Sequence, residues 1–161
     1  VSDSSELIRR FQMSRRDTGF AVLEGFHALK HALRFGAELL EVIASDSQEL
    51  EQMAEELAPD LTESLRELQV TVVSADTLAG LASQAPRTGV VAIARRPDVD
   101  VNEVLGERRP APLILLEDPR TMGNMGACVR VSAAADAAGV FTTGDNDPWH
   151  PDALRGAAGL H

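Results

Sequence analysis

The chain has 161 residues, 44% of them hydrophobic, with a net charge of −10 and one cysteine. That length suits one ordinary domain or two small ones, and a lone cysteine excludes an internal disulfide. No apolar run approaches the ~20 residues of a membrane helix, and the opening VSDSSELIRR has no apolar signal-peptide centre. No membrane partner and a reducing, cytoplasmic setting are therefore expected.

At face value a charge of −10 argues against nucleic acid, because phosphate contacts reward Lys and Arg. The distribution of that charge is uneven. Residues 1–37 carry a net of +2, residues 38–69 a net of −9, residues 70–96 a net of +2 and residues 97–161 a net of −5. The acid is concentrated in one helical stretch, best read as a solvated face, and in the C-terminal third. The less acidic segments remain free to hold RNA.

Ser4 or Ser5 can cap a first helix through about Ser14, with Leu7, Ile8 and Phe11 at helical spacing. Arg15-Arg16-Asp17-Thr18-Gly19 breaks it, and Phe20 to Leu23 is a short buried strand. A helix with Phe26, Leu29 and Leu33 inward follows Gly25 and ends at Gly36. Leu39–Ala44 is a strand, and Ser45–Leu68 is helical with an interruption at Pro59, which lacks an amide donor. Val70–Val73 is strand, Ala75–Gln84 helix and Gly89–Ala94 strand. Alternation of β and α implies an α/β/α sandwich over residues 1–96. Arg95 to Pro112 holds three prolines and clustered charge and reads as a linker at 97–112, with one helical turn at Val101–Leu105. A second α/β pattern occupies 113–161: strand 113–117, helix 124–138, strand 139–143, a turn at 144–151 and a short helix at 152–157.

The most informative stretch is Leu113 to Arg130, LILLEDPRTMGNMGACVR. An apolar strand, a polar turn and a helix place an amide and a permanent cation where ligands of such sheets usually sit. NMGACVR resembles the first motif, NxGxxxR, of the SpoU–TrmH branch of the SPOUT RNA methyltransferases. Arg15 to Ala44 is similar to that family's N-terminal substrate-binding domain, SQAPRTGVVAIARRP at 83–97 to its closing strand, and DPWHPDALRGAAGL at 147–160 to the segment after the first motif.

The resemblance implies an α/β fold. A three-layer, ribosomal-protein-like RNA-binding domain at 1–96 precedes the linker 97–112 and the start of a SPOUT methyltransferase domain at 113–161. It implies transfer of methyl from S-adenosylmethionine to a ribose 2′-hydroxyl of ribosomal or transfer RNA, by a protein that is a homodimer when full length. Two departures stand out. VSAAADAA between Arg130 and Gly139 is about three residues longer than the family pattern, nearly one helical turn. The later motifs, a Gly-Glu-rich loop and the Ser/Asn-bearing segment of the trefoil knot, are not in these 161 residues. The sequence thus reads as a fragment, inactive by itself, with no cofactor-binding residue inside it.

Arg130 and Asn124 are the candidate catalytic residues. Arg130 cannot be an ordinary base; its role would be to orient the ribose and favour the alkoxide-like oxygen. The alternative is an arginine tied to Glu117 or Asp118. Asn124 can cap its helix, hold substrate or shape the loop. Gly126, four residues before Arg130, would leave room for a nucleotide. The RNA-contact candidates are Arg15, Arg16, Lys30, Arg34 and Arg87, the last in the constrained APRTG turn.

His27 and His31 are four apart but lack a third ligand, and Asp145-Asn146-Asp147 lacks the rest of a calcium loop, so no metal is expected. Trp149 and His150 read as packing residues, with stacking on a base as the alternative, and Cys128 as a buried sulfur among alanines. Two other functions stay open: a non-catalytic RNA-binding module working through residues 1–96, and a binding domain whose contact surface is the acidic stretch 38–69.

Overall fold

A computed structural model describes residues 4–106, 108 and 110–161. The chain folds as two compact units, Val1–Arg96 and Pro97–His161.

The first unit runs α1 (Ser4–Ser14), β1 (Phe20–Glu24), α2 (Phe26–Arg34), β2 (Leu39–Ala44), α3 (Ser47–Leu57), a 3-10 turn (Pro59–Leu61), α4 (Thr62–Arg66), β3 (Val70–Val72), α5 (Ala75–Leu81) and β4 (Val90–Arg95). The strands form one sheet in the order β1-β4-β2-β3. Strand β4 pairs antiparallel with β1 and β2, and β2 pairs parallel with β3. Val90 to Ala94 are all buried, because helices cover both faces of the sheet. On one face Val91 and Ile93 join Leu7 and Phe11 of α1 and Leu78 and Leu81 of α5. On the other, Phe26 and Leu29 of α2 and Leu50 and Ala54 of α3 are buried.

Local chemistry sets most of the element ends. Helix α3 begins at Ser47 rather than Ser45, capped by Asp46, whose carboxylate accepts from the Gln48 and Glu49 amides at 2.7 and 3.2 Å. Pro59 divides the expected long helix, entering at the first position of the 3-10 turn where a missing amide costs nothing. Helix α5 stops at Leu81 rather than Gln84. The acidic stretch is partly neutralised: Arg66 pairs with Glu51 and Glu55, and Glu51 raises the Arg66 pKa further.

The second unit runs α6 (Val101–Gly106), β5 (Leu113–Leu116), α7 (Met122–Ala134), β6 (Gly139–Thr142) and α8 (Pro151–Gly156). Strands β5 and β6 pair in parallel, and they form a sheet of two. Among the described residues, α7 and α8 supply its buried positions: Met125, Gly126, Val129 and Ser132 from one, Pro151, Ala153 and Leu154 from the other, with Ala157 just beyond. Leu115 on β5 is 66% exposed, since a pair of strands has little to cover it. Helix α7 begins two residues before Asn124 and ends four residues before the expected stop. Asp136 closes it at φ 56, with the Ala137 amide donating to Ser132 O at 3.0 Å. Of VSAAADAA, the residues 131–134 complete α7, and Ala135 and Asp136 form the turn that follows.

Candidate functional site

In the second unit the candidate residues Asn124 and Arg130 lie on α7, the helix that follows the carboxyl end of β5, where the loops after β5 and β6 are tied together. The Asp118 amide donates to Thr143 Oγ1 at 3.0 Å, and Asn146 Nδ2 donates to Pro119 O at 2.9 Å. Gly144 sits at φ 85, and a Cβ there would lie 2.5 Å from Asp118 Oδ1. Helix α7 leaves this loop pair from Thr121, whose side chain makes no cap bond.

Arg130 lies on α7, exposed to solvent, and among the described residues it has no hydrogen-bond or ion-pair partner. Neither Glu117 nor Asp118 ties it down; Asp118 pairs with Arg120 instead, at 3.3 Å. A guanidinium in that state is a ready anion contact. Asn124 is also exposed, but it is the third residue of α7 and not its cap. At 100° per residue Asn124 and Arg130 are about 120° apart around the helix, so α7 does not converge them on one small ligand.

Gly126 requires a larger correction. It is buried, and a Cβ on it would lie 2.1 Å from Ala153 O, 2.8 Å from Ala157 N and 2.9 Å from Gly156 Cα. The space it leaves is filled by the backbone of α8, not kept for a nucleotide. Cys128 is exposed, not buried; at 100° per residue it lies about 60° from Met125 and 100° from Val129, at the edge of the buried stripe. His150 turns out to be the N-cap of α8, Nδ1 accepting from the Asp152 amide at 3.2 Å. The Trp149 ring packs 5.2 Å from that of His161.

The first-unit candidates divide in two. Arg16, Lys30 and Arg87 have no hydrogen-bond or ion-pair partner among the described residues. Arg34 makes a bidentate pair with Asp60, Nη2 donating to Oδ1 at 2.8 Å and Nε to Oδ2 at 3.1 Å, which holds the Asp60 carboxyl below its ordinary pKa. Arg15 is internal: it donates to Leu81 O, which ends α5, and to Glu24 at 3.3 Å. Glu24 in turn accepts from the Ser83 amide and hydroxyl at 2.6 and 2.7 Å, and its side chain is 3% exposed. Arg15 thus joins α1, β1 and the end of α5. Thr88 carries no sequence signal of its role: its hydroxyl accepts from the Phe26 amide at 2.8 Å and caps α2 from 62 residues away, which no local spacing marks.

A family profile described as RNA 2′-O ribose methyltransferase substrate binding matches residues 22–99. The Bordetella pertussis 23S rRNA (guanosine-2′-O-)-methyltransferase RlmB is 35% identical over 122 residues, 74% of this chain and 48% of that protein. The chain belongs to the SpoU family. A crystal structure of an RNA 2′-O ribose methyltransferase matches 98% of the chain and 58% of its own length, at 28% identity and a TM-score of 0.67. The SpoU methyltransferase AviRb from Streptomyces viridochromogenes, solved in complex with AdoMet, shares the fold at 23% identity and a TM-score of 0.70, over 94% of this chain and 59% of its own. The chain spans about half the length of the curated relatives it matches. Among the described residues no helix is long and apolar enough to cross a membrane.

S-adenosylmethionine, the donor this family implies, needs a cleft of at least about 300 Å³. The cavity between α7, β6 and the Pro148–Trp149 loop has about 210 Å³, and its lining is chiefly Val129, Ala133, Val140 and Trp149. It offers no carboxylate to an adenosyl sulfonium and does not fit one.

Proposed function

We propose that this chain provides the RNA-binding unit and the arginine-bearing first strand–helix layer of a SpoU-type RNA 2′-O-ribose methyltransferase. The observation that carries the reading is Arg130, exposed and without a partner among the described residues, on the helix that follows the loop pair. Its charge is permanent, and a planar donor fork matches a phosphate next to the target ribose. Held there, it orients the sugar and favours the oxygen as that oxygen gains negative charge. Asn124, about 120° around α7 from Arg130, shapes the loop or contacts a neighbouring group. Arg16, Lys30 and Arg87 are the phosphate contacts of the first unit; Arg15 and Arg34 serve chiefly to hold the fold.

Ribosomal or transfer RNA is the substrate, S-adenosylmethionine the methyl donor and a homodimer the working form, all carried over from the family. The small cavity and the sheet of two strands favour a second reading for these 161 residues taken alone, an RNA-binding module that transfers no methyl itself.

Two measurements test the proposal. RNA affinity of the chain, followed across a salt series, should fall steeply as salt rises; no affinity at low salt ends both readings. Methyl transfer from labelled S-adenosylmethionine to ribosomal RNA by the full gene product should disappear with Arg130→Ala. Full turnover by that variant removes Arg130 from the reaction.

A further inference from the structure

Five phenylalanines occur in the chain. Phe11 and Phe26 are buried, Phe20 and Phe141 half-buried; Phe35 alone stands in water, 68% exposed. It is not loose. Phe35 is the C-cap of α2, and the turn beyond it is closed: the Gly36 amide donates to Leu33 O at 3.1 Å and the Ala37 amide to Ala32 O at 2.8 Å, with Gly36 at φ 71. The ring of His31 lies against one side of it, centroids 5.9 Å apart and planes within 12°. The two rings make a preformed aromatic step whose outer side faces solvent.

The charge around this step is unusual for so acidic a chain. Helix α2, FHALKHALR, has no acidic residue. His27, Lys30, His31 and Arg34 fall at i, i+3, i+4 and i+7, the face turned away from the buried Phe26 and Leu29. Arg34 spends its charge on Asp60, whereas Lys30 has no ion pair among the described residues. His31 Nδ1 has no hydrogen-bond partner among them either. Helix α2 and its cap thus carry an exposed ring and an unpaired ammonium on one element, the two features that hold an unpaired nucleotide strand by its π-face and its phosphates.

We propose that Phe35, backed by His31, is a stacking platform for one unpaired base of the RNA substrate, with Lys30 on the same helix taking a phosphate of the same strand. The proposal rests on the reading of the first unit as an RNA-binding domain and names the contact it makes. It also commits that domain to looped or single-stranded RNA, since a base inside a duplex offers no free face.

The test uses the chain with two fluorescein-labelled RNAs, a hairpin with an unpaired loop and a blunt duplex of the same stem, followed by anisotropy at low salt. Phe35→Ala should weaken hairpin binding about 5- to 150-fold and leave the salt slope and duplex binding unchanged. Phe35→Trp should restore hairpin affinity. Lys30→Ala should instead lower the salt slope by about one. Because Phe35 touches solvent over most of its surface, neither substitution threatens folding. Hairpin affinity unchanged in Phe35→Ala overturns the platform while the RNA-binding reading stands. Wild-type chain that binds neither RNA overturns both.

Discussion

Gly126→Ala isolates the contact that builds the second unit. The added Cβ would meet Ala153 O at 2.1 Å, Ala157 N at 2.8 Å and Gly156 Cα at 2.9 Å, all backbone, so no rotamer change relieves it. Moving Ala153 O out to ordinary contact at about 3.4 Å makes α8 retreat by roughly 1 Å. A gap of that size forfeits a quarter to a half of the packing it opens. Met125, Val129 and Leu154 are the large side chains there, at 1%, 8% and 2% exposure, each worth about 1.5–3 kcal/mol on burial. The loss is then about 2–3 kcal/mol, against a gain of about 1 kcal/mol from replacing a helical glycine. A net cost of about 1–2 kcal/mol lowers the unfolding temperature of this small unit by roughly 5–10 °C. Trp149, the only tryptophan, lies in the same unit, so its fluorescence reports that transition without labelling. Gly123→Ala is the control: nothing lies within 4 Å of its would-be Cβ and its φ is not positive, so it should stabilise slightly. A Gly126→Ala protein that melts at or above the wild-type temperature refutes the packing role, and restores Gly126 as a residue kept open for a nucleotide.

Arg15→Gln should destabilise the first unit by about 1.5–3 kcal/mol, since it strips the cation from nearly buried Glu24 and a donor from Leu81 O; chemical denaturation measures it, and unchanged stability with weakened RNA binding would return Arg15 to the phosphate contacts. His31 should titrate below its ordinary 6.5, held down first by burial and then by Lys30, Arg34 and His27. The unfolded chain then takes the proton first, so stability declines as pH falls through 6.5 and levels off below the folded midpoint; an NMR midpoint at or above 6.5 contradicts this. Asp60 should titrate below its ordinary 3.8, chiefly through its hydrogen bonds to Arg34. Its contribution is complete above 3.8 and vanishes as pH drops through the lower folded value; Arg34→Ala should move the NMR midpoint back up.

Hydrophobic spacing, Pro59, Gly25 and Gly36 were enough to place nearly every strand and helix, because those signals act over a few residues. The NMGACVR segment with SQAPRTG and the stretch from Arg15 to Ala44 was enough to point to the family. Spacing also placed Arg130 on a helix after a polar turn. It could not show that Arg130 is exposed and without a partner among the described residues, since that depends on where Glu117 and Asp118 turn at the end of β5.

Two of the residues singled out from sequence have structural partners that are distant along the chain. Gly126 looked like space for a ligand until α8 was seen to occupy it. Arg15 looked like a surface cation until Leu81 O and Glu24 were found around it, 66 and 9 residues away. Helical periodicity says which positions share a face; it carries no record of which backbone will press against that face. Charge, cap and pattern are local properties of a polypeptide. Who neutralises a charge, and what fills the gap beside a glycine, is decided only when separate segments pack.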